Sequence, residues 1–322
     1  MTSTVQPDRP LRIGVSSCLI GEPVRFDGNH KRDDFVADVL GPHADFVPIC
    51  PEVGIGLGVP RPTIRLVVSD GGAVRARGVN DPELDVTAPL VKYLDQVVDQ
   101  VRQLDGYILK RGSPSCGMQG VKHYRQPGHP PARGSGLYAE ALLARFPQLP
   151  VEDEGRLNDA RLRENFITRV FTYHRWRQMV SRGVSAGALV QFHAQHKYLL
   201  LAHNQAAYRR LGPVVAAAGQ RDPEALAQAY IAELMSGLSK VATPRSHSNV
   251  LEHMAGFLKR ALDLEDKAEL HRLIAEYREG RVPLVVPLTL MKHHFRRHPH
   301  PVIANQVYLD PHPAELMLRN HV

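Results

Sequence analysis

The 322 residues exceed the usual length of one compact domain and suggest about two, while 43% hydrophobic and 23% charged residues supply real cores and exclude a disordered chain. No apolar run approaches the ~18 residues that span a bilayer, and the opening MTSTVQPDRP lacks the positive start of a signal peptide, so the expectation is a cytoplasmic protein without a membrane partner. Charge is segregated: Lys plus Arg equal Asp plus Glu at 21 each up to residue 170, leaving 19 against 12 beyond it, where 13 of the 17 histidines also lie.

In chain order, LRIGVSSCLIG (11–21), ADFVPICPEVG (44–54) and DGYILKRGSPSCG (105–117) are short apolar runs ending in turns. They read as three strands, each with a cysteine at or just past its C-terminal end. TIRLVVSDGGAVRARG (63–78) predicts a hairpin turning at Asp70-Gly71-Gly72, expected as an edge pair of the same sheet. Residues 83–104 predict a helix after Asp81-Pro82, with Leu90, Leu94, Val97, Val101 and Leu104 on one face. GSGLYAEALLARF (134–146) and PQLPVED (147–153) predict a further helix and strand. Asn158 or Asp159 then caps a helix carrying Leu162, Phe166, Val170 and Tyr173, which is expected to close the first domain. SRGVSAG (181–187) is the expected linker. Beyond it, periodic segments near 188–210, 223–238, 248–262 and 266–279 predict helices, with Asp222-Pro223 as cap and first position and Leu251, Met254, Leu258 and Leu262 as a core stripe.

This pattern predicts an α/β fold, a Rossmann-like and mostly parallel sheet with flanking helices over 11–180, followed by a basic, mainly α-helical second domain over 188–322. Ligands of such sheets sit outside the carboxyl ends of the strands, so Cys18, Cys50 and Cys116, separated by 32 and 66 residues, would converge on one crevice. An odd cysteine count argues against a disulfide scaffold. Three thiolates at strand ends suit a soft metal or an iron-sulfur cluster; the lack of a CxxC pair weakens zinc, and buried inert thiols remain the alternative. A four-iron cubane held by three cysteines has one iron with no protein ligand, free to act as a Lewis acid. Glu52, two residues after Cys50, and Ser113 and Ser115, just before Cys116, are the acid-base candidates beside it.

Together, SSCLIGEPVRFDG, PICPEVGIGLGVPRP and KRGSPSCG resemble the thiouracil desulfidase family. FHAQHKYLLLAH (192–203), LEHMAGFLK (251–259), YREGRVPLVVPLTLMKHH (277–294) and QVYLDPHPAELMLRN (306–320) resemble the YbgA-type C-terminal domain often fused to it. The resemblance implies an enzyme that removes sulfur from thiolated pyrimidines, such as thiouracil or 4-thiouridine monophosphate, releasing sulfide with a [4Fe-4S] cluster and no net redox change. It implies Cys18, Cys50 and Cys116 as cluster ligands and Glu52 and Ser113 as the catalytic acid-base pair, with Ser115 competing for the serine role. A nucleotide substrate needs cations for its phosphate, and Lys110, Arg25 and Arg61 lie in or beside the motifs.

Three features point elsewhere. Gly54, Gly56 and Gly58 fall short of a dinucleotide fingerprint, with Pro60 and Pro62 where a helix should start. The stretch MKHHFRRHPHP (291–301) reads as a solvated basic turn and His193, His196 and His203 as packing residues, since no carboxylate or cysteine accompanies them. The basic half admits a second function class, RNA contact through the C-terminal domain, and a third, a sulfur carrier that donates to an acceptor.

Overall fold

A computed structural model describes residues 10–69, 71–125 and 129–322; the opening nine residues read above and Asp70 of the expected hairpin turn lie outside the described residues. The chain divides into two compact units, Met1–Asn158 and Asp159–Val322.

The first unit carries strands β1 (Arg12–Ser16), β2 (Asp45–Ile49), β3 (Ile64–Val68), β4 (Val74–Gly78), β5 (Gly106–Leu109), β6 (Val121–Tyr124), β7 (Ala132–Gly134) and β8 (Val151–Asp153). Between them lie helices α1 (Pro51–Gly54), α2 (Thr87–Val101) and α3 (Leu137–Arg145). One sheet runs β2-β1-β5-β8, all parallel. Ile13 and Val15 in β1 and Tyr107, Ile108 and Leu109 in β5 are fully buried. Such runs are apolar throughout because a parallel sheet is covered on both faces. Ser16 pairs with Ile49 and Val15 with Ile108, so β1, β2 and β5 end level with one another.

The hairpin at 63–78 forms, as β3 and β4, but it does not extend this sheet. It belongs to a second one, ordered β4-β3-β6-β7, because β6 emerges from the third cysteine loop and pairs in parallel with β3 through Leu66 and His123. The helix expected over 83–104 is shorter, Thr87–Val101, since Leu84 N–H bonds the Asp81 carbonyl in a turn and Asp85 bridges to Arg77 first. Leu90, Leu94, Val97 and Val101 are its buried face, as their spacing predicts.

The second unit is mainly helical: α4 (Ala160–Ser181), α5 (Ala186–His203), α6 (Gln205–Ala216), α7 (Pro223–Leu238), α8 (Pro244–Ala255), α9 (Leu264–Arg278), α10 (Val285–Arg297) and the short α11 (Pro301–Ala304). Asp159, Ser185, Asn204, Asp222, Thr243 and Asp263 each accept a backbone N–H of the following first turn, so α4 to α9 start where their caps stand. The expected 188–210 helix breaks at Asn204, whose extended backbone separates α5 from α6. The unit boundary falls at 158/159 and not at 181–187. The reason lies on α4: Trp176 stacks on Tyr230 at 5.5 Å and meets Phe192 edge-on at 5.2 Å, tying the helix to the second core. Within 181–187, residues 182–185 are only the turn between α4 and α5.

Charged groups lie inside this unit as well, Glu164 and Arg319 among them. Arg175 donates to His196 Nε2 at 3.3 Å and His196 Nδ1 meets the Phe192 carbonyl at 2.8 Å, an arrangement that needs the neutral ring. Glu164 faces Arg319 at 3.3 Å and His312 at 3.7 Å. Burial alone would raise its carboxyl, but the facing His312 ring and the Arg319 charge hold it well below the usual carboxylate range. Among the described residues no helix is long and apolar enough to cross a membrane.

Candidate functional site

The level ends of β1, β2 and β5 deliver the three cysteines. β1 runs into a single 3-10 turn, Ser17–Ile20, that holds Cys18. Cys50 follows β2 with an extended backbone, and its carbonyl accepts the Gly54 N–H as α1 begins. β5 leads to the Lys110–Gly117 loop, where Gly112 takes φ +72°, a left-handed conformation that a β-carbon disfavours. Ser113 shapes the loop by accepting the N–H groups of Ser115 at 3.2 Å and Cys116 at 3.1 Å on its side-chain oxygen. The loop is backed by α3: Leu137 N–H donates to Pro114 O and Ala139 N–H to Ser115 O. Gly136, just ahead of α3, makes that approach possible, since a β-carbon there would lie 2.6 Å from Ser115 O.

All three cysteines are free thiols, and they line one cavity of about 540 Å³ together with Glu52, Ser113 and Ser115. Burial pushes the Cys18 thiol up to about 11, with the nearby Cys50 adding to it and Lys110 and Arg25 pulling against it. Burial raises Cys116 further and Cys50 in the same direction. Bare of metal, the three are therefore neutral thiols, and a metal must displace their protons to bind. Among the described residues, no three His, Cys, Asp or Glu groups gather closely enough to hold a single ion.

Ser115 Oγ, 1% exposed as a residue, donates to Glu52 Oε1 at 2.7 Å and lies 2.9 Å from Ser113 Oγ. Ser113, only half-buried, stands at the outer end of this chain. Glu52 Oε2 accepts Nε and Nη2 of Arg61, both at 2.9 Å. The three cations beside the motifs differ in their engagements. Arg61 is held within the protein; Lys110 pairs with Glu154 and donates to the Arg111 carbonyl at 2.9 Å. Arg25 lies over the Phe26 ring at 5.4 Å, with Asp27 at 3.6 Å, too far for a hydrogen bond.

The sequence reading passed over Lys31 and Phe26, which also line the cavity. Lys31 is exposed, and its N–H on the Cys18 carbonyl at 2.9 Å brings it to the rim. It also passed over a neighbouring hollow of about 910 Å³ that shares Ile64, Arg111, Gly112 and Pro114 with the cysteine cavity and is lined by Arg65, Lys122, Arg133 and Arg156. Its signal in the sequence was spread over β3, β6 and β7, with no local cluster to mark it. The histidine-rich stretch at 291–301 falls on the end of α10 and the start of α11, with His294 buried.

Comparison with known proteins assigns the two parts separately. Residues 13–154 match the family model of 2-thiouracil desulfurase, and residues 197–313 match that of a protein of unknown function, DUF1722. The chain is 33% identical over 165 residues to the uncharacterized protein YbgA of Escherichia coli (strain K12), a match covering 51% of this chain and 98% of that one. Among solved structures it is similar to a [4Fe-4S]-dependent thiouracil desulfidase, TudS, at 31% identity, over 46% of this chain and 93% of that one, with a TM-score of 0.37.

Proposed function

The chain belongs to the 2-thiouracil desulfurase family in residues 13–154 and to the YbgA-type DUF1722 family in residues 197–313, and on that premise we propose that it is an enzyme removing sulfur from thiolated pyrimidines as sulfide. The observation that carries the reading is the single cavity onto which Cys18, Cys50, Cys116 and Glu52 all open. The donor set fits a [4Fe-4S] cluster. Three free thiols share one cavity large enough for an inorganic group, and thiolates past the ends of parallel strands suit the soft irons of such a cluster. Cys18, Cys50 and Cys116 would hold it, and when bound it supplies a Lewis-acid iron for the thiocarbonyl sulfur.

The reaction is a hydrolysis: the carbon–sulfur bond breaks, a carbon–oxygen bond to water forms, and hydrogen sulfide leaves without any change of electron count. The work left to the protein is proton transfer and orientation. Glu52 is the base that takes a proton from water attacking the ring carbon. Ser113 meets the substrate at the cavity wall, and Ser115 joins it to Glu52, so a proton received at either end can pass along two hydroxyls. Phe26, 40% exposed on the cavity, offers a face for the pyrimidine, with Arg25 and Lys31 at hand for a phosphate. Lys110 holds the loop through Glu154 and lies within reach of the same anion.

Anaerobic reconstitution with iron and sulfide, then assay of 4-thiouridine monophosphate and 2-thiouracil at the thiocarbonyl absorption, tests this. About four irons per chain with cluster-dependent sulfide release are expected, both absent in Cys50→Ala. A loaded cluster that leaves every thiopyrimidine intact overturns the activity.

The basic hollow beside the cavity favours a second reading, in which the thiolated base is part of an RNA whose phosphates follow Arg65, Lys122 and Arg133. Turnover of thiolated RNA that falls steeply with salt, with little turnover of the free base, would select it. Labelled sulfur found on a partner protein instead of as free sulfide would select the sulfur carrier.

A further inference from the structure

We infer that Arg61 is a positioning residue for Glu52 and not a ligand for substrate phosphate, an inference that rests on the desulfidase reading of the site. The guanidinium is committed on every nitrogen. Nε and Nη2 grip Glu52 Oε2, and Nη1 donates to the carbonyls of Val24 at 2.8 Å and Gly58 at 3.2 Å. The Arg61 backbone N–H adds a bond to Phe26 O at 2.9 Å. Its side chain is 4% exposed, so no face is left for a phosphate. One residue thus ties together the loop bearing Arg25 and Phe26, the Cys50–Glu52 corner and its own loop.

The consequence lies at the other oxygen of the carboxylate. A forked grip on Oε2 fixes the rotation of the carboxyl group and presents Oε1 to Ser115 at 2.7 Å. Lys at this position could keep the charge but not the fork, because an ammonium offers a point charge and no planar geometry. Without the fork, Glu52 can turn its carboxylate away from Ser115, and the path from Ser113 opens.

The test uses the full-length, cluster-loaded protein with Arg61→Lys and Arg61→Ala, each checked for iron content and visible absorption. The expected result is a fall in kcat of roughly 10- to 100-fold on both 2-thiouracil and 4-thiouridine monophosphate, the scale that a misplaced catalytic group costs, with KM little changed. In a Glu52→Gln background the same substitution should change little. Calorimetric titration with uracil and with uridine monophosphate should give the same affinity ratio in wild type and Arg61→Lys. A KM increase confined to the monophosphate, a collapsed affinity ratio, or an undiminished effect in Glu52→Gln would each overturn the inference. If Arg61→Ala does not fold, Arg61→Lys carries the test alone. A crystal structure of Arg61→Lys is the readout independent of turnover: Glu52 released from Ser115 supports the role and Glu52 held in place overturns it. Wild-type protein inactive on every thiopyrimidine would instead remove the desulfidase reading.

Discussion

Ser115 Oγ lies between Glu52 Oε1, at 2.7 Å, and Ser113 Oγ, at 2.9 Å, so helix α1 after β2 and the loop after β5 meet through one buried hydroxyl. Ser115 holds the Glu52 carboxylate, whereas Ser113 spends its oxygen on the N–H groups of Ser115 and Cys116. The two serines are therefore separable by experiment.

Ser115→Ala cuts the hydroxyl chain and is expected to lower kcat by about 100-fold, the lower end of what positioned proton transfer supplies. Ser113→Ala removes the acceptor for two backbone donors as well, so it should lose activity and about 1–3 kcal/mol of stability. Steady-state assays alongside denaturant titration separate the two effects. Full activity in Ser115→Ala would show that the hydroxyl chain carries nothing.

Cys50→Ala should abolish iron loading while leaving the fold intact, because Cys50 is only partly buried and a small thiol is its whole contribution to packing. Iron content after reconstitution, with circular dichroism as control, gives the answer. Near-full iron retention would mean that the cluster does not need this thiol.

Gly136→Ala is expected to push the third cysteine loop out of place. Its β-carbon would sit 2.6 Å from Ser115 O and 2.9 Å from Pro114 O, both backbone atoms that cannot swing aside. A cost of about 1–3 kcal/mol follows from such overpacking, together with reduced iron content. Unaltered iron loading and melting temperature would refute the close approach.

Acid should unfold the second unit early. Burial first, and then Arg175, lowers His196 to about 3; burial and then Arg319 lower His247 to about 3. Both rings are neutral in the fold and protonate more readily once unfolded. Their stabilisation is complete above the ordinary histidine value near 6.5 and drains away as pH falls toward 3. The lowered Glu164 acts in the same sense below the usual carboxylate range. Trp176, the single tryptophan, sits in the core of this unit, so its fluorescence reports the midpoint of denaturation directly. A midpoint constant between pH 7 and pH 4 would contradict the burial of these rings.

The cysteine corners were legible because each apolar run, turn and cysteine is a local pattern, and level strand ends follow from parallel pairing. Glu52, Ser113 and Ser115 could be named because they adjoin cysteines in the chain. The role of Arg61 could not, since its partners include a carboxylate nine residues back and the Val24 carbonyl, brought together only by the path of the 58–61 loop. The second sheet was hidden for a similar reason: β3 pairs in parallel with β6 across the whole of α2 and β5, and no local signal marks a non-local pair. In the helical unit the caps were readable, but the allegiance of α4 depended on Trp176 finding Tyr230 and Phe192 in later helices.

The placement of Cys18, Cys50 and Cys116 at the ends of β1, β2 and β5 also sets an order of maturation. A chelating pair a few residues apart can capture metal on a nascent chain, but these thiols are brought together only by parallel pairing. Such pairing needs long crossover connections and forms slowly. A chain that has emerged only as far as α2 holds two of the three thiols and lacks the strand that delivers the last. On the proposed cluster reading, iron delivered before β5 has docked meets scattered cysteines, so the sheet is finished before a cluster can be held by all three.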